Sequence, residues 1–169
     1  MIKVTKTTLP EVLRIELPPF RDHRGIFNVL CRKEEYKKAG IPVEFVQENY
    51  SSSYKNVLRG LHGDSKTWKL VSCTRGSIYL VVLNYNPTSY SFGRWECFNL
   101  TERNGFQILI PPMHAIGHLV LSDGATFHYK ESEYYTDGKN QFTVKWNDPE
   151  FNIVWPITNP ILSSRDGLA

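Results

Sequence analysis

Three residues with chemically useful side chains lie close together near the middle of the chain. Arg59 and His62 end an apolar stretch, and Lys69 begins a strongly apolar run seven residues later. A polar group inside a buried strand needs a partner, so such residues are informative. Each of the three taken alone is more often structural. Together, two cations and a titratable imidazole on neighbouring segments indicate phosphate binding combined with acid–base chemistry.

A second polar stretch starts at Phe45 and ends at Ser51. If it is a strand, one face carries Phe45, Gln47, Asn49 and Ser51, because side chains alternate between faces. Three hydrogen-bonding side chains on one face could line a ligand pocket. The alternative interpretation is a solvated outer face.

Two further candidates come from the second half of the chain. Tyr129 and Lys130 form a pair on another strand-like segment, and Asp166 lies in a polar tail that begins at Leu162. Asp166 could orient a histidine, but the sequence does not show that the two meet.

Other kinds of site receive less support. His62 is followed by Gly63 and Asp64, so the His-x-His spacing of β-barrel metalloenzymes is missing. His114 and His118 share a face of a predicted strand without an evident Cys or carboxylate beside them. The chain also lacks a Gly-x-Ser-x-Gly motif and a Gly-rich phosphate loop. We therefore expect no metal and no nucleophilic serine or cysteine.

The elements that must position these residues are short strands. Turn signals recur every eight to twelve residues and separate β-rich runs, of which residues 27–31 are one, and this spacing is typical of an all-β sandwich or barrel. The segments flanking Arg75-Gly76 resemble a tight hairpin, as do those flanking Ser122–Gly124. One short helix is predicted over residues 33–39, and residues 2–15 are predicted to form strands ahead of the barrel.

Length and composition limit the possible classes of protein. The chain has 169 residues, 41% of them hydrophobic, which suits one globular domain spanning residues 1–169. A formal net charge of +3 without a long Lys/Arg run argues against a nucleic-acid partner. No apolar run is long enough for a membrane span, and the N-terminus lacks an apolar signal region. Three cysteines without CxxC spacing fit reduced thiols, so we expect a cytoplasmic protein.

Several motifs occur in one order along nearly the whole chain, from about residue 9 to residue 166. They are Phe20-x-Asp22-x-Arg24-Gly25, Phe45-Val46-Gln47-x-Asn49-x-Ser51, Val57-Leu58-Arg59-Gly60-Leu61-His62, Lys69-Leu70-Val71, Phe92-Gly93-x-Trp95, Leu121-Ser122-Asp123, Tyr129-Lys130, Trp146-Asn147-Asp148-Pro149, Trp155-Pro156 and Leu162-Ser163-x-x-Asp166. In this order they closely resemble the dTDP-4-dehydrorhamnose 3,5-epimerase family, the cupin-type sugar-nucleotide epimerases.

The resemblance implies an all-β, cupin-type jelly-roll barrel that forms a homodimer by exchanging N-terminal strands and uses no metal or organic cofactor. It implies that His62 is the base that removes a proton alpha to a 4-keto group and that Asp166 orients it. Lys69 would stabilise the enolate oxygen, and Tyr129 would deliver a proton to the opposite face.

The resemblance also implies how the substrate, a nucleotide-diphosphate sugar, is held. Arg24, Gln47, Asn49 and Arg59 match positions that bind the nucleotide diphosphate. The same pattern disfavours a related 3,4-ketoisomerase. A non-catalytic jelly roll that only binds sugar nucleotides stays open as an alternative.

Three departures from the family pattern bear on the substrate. Asn28 replaces a Glu, the segment from His62 to Lys69 is about three residues short, and Ile116 replaces a histidine. The short loop is similar to that of epimerases acting on GDP-4-keto-heptoses in bacterial capsule synthesis. The expectation is therefore a GDP-4-keto-heptose, with the dTDP-4-dehydro-6-deoxyglucose of rhamnose synthesis as the alternative. Inversion at C3 alone and inversion at both C3 and C5 remain open.

Overall fold

The structure is a computed structural model that describes residues 2–41 and 43–168, without the side chain of Lys139. The described strands are β1 (Lys3–Lys6), β2 (Leu13–Glu16), β3 (Phe20–Asp22), β4 (Gly25–Phe27), β5 (Gln47–Tyr54), β6 (Leu58–Gly63), β7 (Lys69–Arg75), β8 (Ser77–Asn84), β9 (Trp95–Thr101), β10 (Phe106–Ile110), β11 (His114–Val120), β12 (Gly124–Glu131) and β13 (Phe142–Thr143). The described helices are α1 (Lys33–Lys38), a 3₁₀ turn (Gly138–Asn140) and α2 (Ser164–Leu168).

Two antiparallel sheets form the body of the molecule. One has the strand order β1-β2-β10-β7-β12-β5, and the other has the order β13-β6-β11-β8-β9. Strands β3 and β4 form a separate hairpin. One core cluster draws fully buried residues from both sheets, including Val71 and Ile108 from the first and Ile78 and Leu80 from the second. The predicted all-β jelly roll is confirmed.

Both predicted hairpins are wrong. Strand β7 pairs with β10 and β12, whereas β8 pairs with β9 and β11, so the turn at Gly76 carries the chain from one sheet to the other. The turn between β11 and β12 does the same. The two turns pack together: the Ser77 amide donates to Ser122 Oγ at 2.9 Å, and a Cβ at Gly76 would collide with the Gly124 carbonyl oxygen. A sequence signal for a tight turn therefore does not distinguish a hairpin from a turn that carries the chain from one sheet to the other.

The helices agree in part with the sequence. Helix α1 is where it was expected and ends one residue early, with Tyr36 as its buried side chain. Helix α2 was not predicted, because five residues are too few to show a helical period. It replaces what the sequence indicated to be a polar tail, and it carries the buried Asp166.

The N-terminal region contains the predicted strands β1 and β2, with β1 at the edge of its sheet. The strand predicted over residues 27–31 is wrong, since β4 ends at Phe27. The Leu30 carbonyl oxygen instead accepts hydrogen bonds from the Tyr36 hydroxyl at 3.1 Å and from Gln107 Nε2 at 2.9 Å. Side chains thus satisfy a backbone group that a sheet partner would otherwise satisfy.

Candidate active site

A cavity of about 340 Å³ lies between the two sheets. Both sheets and the C-terminal segment contribute to its wall. The lining residues are Gln47, Asn49, Ser51, Arg59, His62, Lys69, Leu80, Ile116, Gly117, His118, Phe127, Tyr129, Glu131, Tyr135, Gln141, Ser163 and Asp166. Seven of the eight residues to which the resemblance gave a catalytic or binding role therefore line one cavity.

His62 and Asp166 form a direct pair on one wall. His62 Nε2 lies 2.7 Å from Asp166 Oδ1, and the side chain of Asp166 is only 3% exposed. The Asp166 amide donates to Ser163 Oγ at 3.2 Å, and the Gly60 amide donates to the second carboxylate oxygen at 3.4 Å. Although 104 residues separate the two partners along the chain, the carboxylate is held rigidly against the imidazole.

Burial lowers the pKa of His62 below its ordinary value of 6.5, and the nearby Asp166 carboxylate partly opposes that effect. The imidazole is therefore neutral at physiological pH. A neutral imidazole held by a carboxylate is a competent proton acceptor.

Gly60 allows β6 to approach β11 closely enough to place His62 in the wall. Its φ is +115°, and a Cβ there would collide with the backbone of Ile116 and Gly117. The ladder between the two strands shifts register between Ile116 and His118 at the same point. A side chain at position 60 is thus excluded both by conformation and by space.

Tyr129 enters the cavity from the opposite sheet. It lies on β12, between Val71 of β7 and Asn49 of β5, whereas His62 lies on β6 of the other sheet. Burial raises the pKa of Tyr129, and the neighbouring Glu131 raises it further. The phenol is therefore protonated at neutral pH and can donate a proton.

Lys69 is a buried cation between two carboxylates. Its Nζ lies 3.5 Å from Asp64 Oδ2 and 4.0 Å from Glu131 Oε1, and its side chain is 8% exposed. Burial raises the pKa of Glu131, while the positive charge of Lys69 acts in the opposite direction. The ammonium is held at a defined place in the cavity wall.

Three of the four predicted binding residues line the cavity, and one does not. Gln47 and Asn49 line the cavity together with Ser51, and so the alternative of a solvated face does not apply to these three. Arg59 also lines it, and its Nε donates to Ser53 Oγ at 3.0 Å. Arg24 does not belong to the lining: it lies on the β3–β4 hairpin, where its exposed guanidinium pairs with Asp22.

Sequence reasoning missed several residues of the wall. Phe127 and Glu131 flank Tyr129 at a spacing of two on β12, so the alternation of that strand could have identified them. His118 also lines the cavity and stacks on Phe127, with ring centroids 4.2 Å apart. Burial lowers the pKa of His118 to about 3, which keeps this second imidazole neutral. His114 is not part of the lining.

Two absences hold for the residues that the structure describes. They contain no group of three or more His, Cys, Asp or Glu side chains arranged to hold a metal ion. Nor does any helix in residues 2–41 and 43–168 have the length and apolarity needed to cross a membrane.

The all-β fold that encloses this cavity is that of the cupin-type sugar-nucleotide epimerases. The family model described as dTDP-4-dehydrorhamnose 3,5-epimerase matches residues 6–169. A dTDP-4-dehydrorhamnose 3,5-epimerase of Shigella flexneri is 40% identical, with 98% of this chain and 93% of that protein covered. The one from Escherichia coli K12 is 41% identical, with 98% and 91% covered.

A solved structure supports the same family assignment. The crystal structure of dTDP-6-deoxy-D-glucose-3,5-epimerase from Legionella pneumophila, in complex with dTDP-4-keto-L-rhamnose, superposes with a TM-score of 0.93 at 35% identity. The match covers all of this chain and 92% of that one. This chain belongs to the dTDP-4-dehydrorhamnose 3,5-epimerase family and is an isomerase that epimerises a sugar nucleotide.

Proposed function

We propose that the protein inverts C3 and C5 of dTDP-4-dehydro-6-deoxyglucose, using His62 as base and Tyr129 as acid. One observation carries the proposal. A carboxylate-held neutral imidazole and a protonated phenol enter one cavity from opposite sheets, with a buried ammonium in the same wall. Inversion of a carbon requires a base on one face of the sugar and a proton donor on the other.

The reaction follows from these positions. His62 takes the proton from the carbon next to the 4-keto group, and the electron pair of that bond moves onto the carbonyl oxygen. Lys69 stabilises the resulting enolate, because a fixed positive charge in a water-poor cavity is most effective where negative charge develops. Tyr129 then protonates the carbon from the opposite face as the electron pair returns from the enolate oxygen; solvent takes the extra proton from the imidazolium of His62 and returns one to the phenolate of Tyr129.

The choice of nucleotide follows the relatives. The loop between His62 and Lys69 favoured a GDP-4-keto-heptose, but the comparisons do not support that branch. The matching family and the relatives described above carry dTDP names. We therefore assign the substrate to the dTDP-4-dehydro-6-deoxyglucose of the alternative prediction.

The diphosphate is assigned to the cationic part of the wall. Arg59 lines the cavity, and a guanidinium suits phosphate oxygens. Gln47 and Asn49 contribute polar lining from β5 of the other sheet. Arg24 lies outside its own cavity, so it can reach a nucleotide only if a second copy supplies it.

We therefore also propose a homodimer formed through the N-terminal strands. Strand β1 is an edge strand, and the β3–β4 hairpin exposes Phe20 at 61% and Phe27 at 65%. Light scattering across a range of concentrations should give the mass of a dimer. A constant mass of one chain would contradict this assembly.

The decisive experiment for the function is incubation in D₂O with dTDP-4-dehydro-6-deoxyglucose and, separately, with a GDP-4-keto-heptose. We expect deuterium at C3 and C5 of the dTDP sugar. Incorporation at C3 alone would limit the reaction to one carbon, and incorporation only into the GDP sugar would overturn the assigned nucleotide. Binding of either sugar without exchange would identify a non-catalytic binding protein.

Replacing Asp166 by Asn should shift the pH profile as well as the rate. Asp166 raises the pKa of His62 against the effect of burial, so its removal lowers that pKa further. A less basic, poorly oriented imidazole should reduce kcat by roughly 10²-fold. The acidic limb of the profile, where protonated His62 is inactive, should move to lower pH. A limb that stays in place would show that this carboxylate does not act on the base.

Replacing Tyr129 by Phe should separate the two proton transfers. The ring keeps its packing against Phe127, whose centroid is 5.3 Å away, and only the proton donor is lost. Proton abstraction by His62 should continue, so deuterium still enters the substrate while net inversion slows by ~10²-fold or more. Tyr50→Phe, at an exposed position outside the lining, is the control. Equal loss of exchange and inversion in Tyr129→Phe would contradict the assigned role.

A further inference from the structure

Glu131 is a buried carboxylate in the cavity wall that the proposed reaction does not use. It is 5% exposed and lies on β12, two residues beyond Tyr129 on the same face. Its direct neighbours across the sheet are Lys69 on β7 and Gln47 on β5. The carboxylate is therefore the next side chain after the proposed acid, Tyr129, on the same face of β12.

The Glu131 carboxylate already accepts hydrogen bonds from the side-chain amides of Gln47 and Asn49. Gln47 Nε2 donates to Glu131 Oε2 at 3.4 Å and to Asn49 Oδ1 at 3.1 Å, which uses both of its hydrogens. Asn49 Nδ2 donates to the same Glu131 oxygen at 3.0 Å. The Tyr135 amide donates to Gln47 Oε1 at 2.8 Å, so the Gln47 side chain is also fixed in orientation. Gln47 keeps no free N–H with which to hold a phosphate.

The two ends of the cavity differ in charge. Arg59 is anchored at Ser53 of β5, whereas Glu131 lies opposite Gln47 on the same strand. Six residues of extended strand separate these anchor points, or about 20 Å. At the Glu131 end, Asp64 is a second carboxylate within 3.5 Å of the single ammonium of Lys69. An anionic diphosphate suits the first end, and the hydroxyl groups of a sugar suit the second.

We propose that Glu131 is a specificity-determining residue that accepts hydrogen bonds from a hydroxyl group of the sugar, and that the diphosphate is held at the Arg59 end. The proposal rests on the proposed function and refines it. Gln47 then serves to orient the carboxylate instead of binding phosphate, and Asn49 donates one further hydrogen bond to that carboxylate. A carboxylate accepts but does not donate, so it selects for a hydroxyl and against phosphate oxygens.

The test compares Glu131→Gln with the wild type in two assays. The first measures kcat and KM for dTDP-4-dehydro-6-deoxyglucose, and the second measures the Kd of dTDP, which has no sugar. A hydrogen bond to a charged group is lost, so KM should rise about 10- to 100-fold, a larger change than that in kcat, which also responds because Glu131 neighbours Tyr129 and Lys69. The Kd of dTDP should change by less than about threefold. Glu48→Gln is the control, since Glu48 also pairs with a lysine but lies outside the lining.

Three results would overturn the proposal. An unchanged KM would show that Glu131 does not contact the sugar. A KM that falls, with tighter dTDP binding, would place the diphosphate beside Glu131, because the substitution removes a repulsive charge. A parallel rise in KM and in the Kd of dTDP would indicate general damage to the cavity. If Glu131→Gln does not fold, Glu131→Asp must show the same rise in KM with unchanged dTDP binding. A wild type that binds dTDP but never exchanges would refute the proposed function separately.

Discussion

Replacing His62 by Asn is expected to abolish the exchange of the substrate's alpha protons in D₂O. The imidazole is the base in the proposed reaction, and a general base contributes typically ~10²–10⁴-fold, so the loss should be at least that large. Asn cannot accept the proton, although it is close in size to the imidazole and can still face Asp166. The variant should therefore keep a melting temperature close to that of the wild type. The measurements are the rate of deuterium incorporation and the melting temperature.

His114→Asn is the matched control for this prediction. His114 is also a largely buried histidine, but it lies outside the cavity lining, and so exchange should remain near the wild-type rate. A folded His62→Asn protein that still exchanges at that rate would disprove the assignment of the base. His118 would then be the residue to test, because it is the other histidine among the described lining residues.

Lys69→Met should reduce both proton abstraction and reprotonation. Methionine keeps much of the length of the lysine side chain and removes its charge. The enolate then forms without its positive partner, and the loss of one electrostatic stabiliser of this kind costs ~10²–10³-fold in kcat. The substitution also leaves Asp64 and Glu131 without the cation between them, so the protein should be less stable. Exchange and net inversion are measured together with the melting temperature.

Lys130→Met separates the two effects of that change. Lys130 is a similarly shielded lysine, with a side chain 12% exposed, and it pairs with Glu48 outside the cavity lining. We expect a change in stability without a loss of exchange. If Lys69→Met lowered the melting temperature but exchanged at the wild-type rate, the ammonium would be a structural partner of the two carboxylates and would have no role at the enolate.

Much of the candidate site could be predicted from the sequence, because several of its polar residues interrupt apolar, strand-like segments. Arg59, His62 and Lys69 interrupt apolar runs, and the alternation along residues 45–51 placed Gln47 and Asn49 on one face. Those features depend only on the period of a strand and on the cost of burying a polar group. The order of the motifs added the family and its assigned roles. The same alternation, extended along β12, could have added Glu131.

The long-range contacts and the pairing of the strands were decided by the tertiary structure, because the local sequence pattern carries no information about them. The contact between His62 and Asp166 joins residues 104 positions apart, and it depends on a five-residue helix too short to leave a periodic signal. A two-residue turn has the same composition whether the next strand pairs with the last or crosses to the other sheet. The two predicted hairpins were therefore wrong, while the strands themselves were largely right. Those crossings place Tyr129 and His62 on opposite sheets, and so the separation of the proposed acid from the proposed base across the cavity is a property of the topology alone.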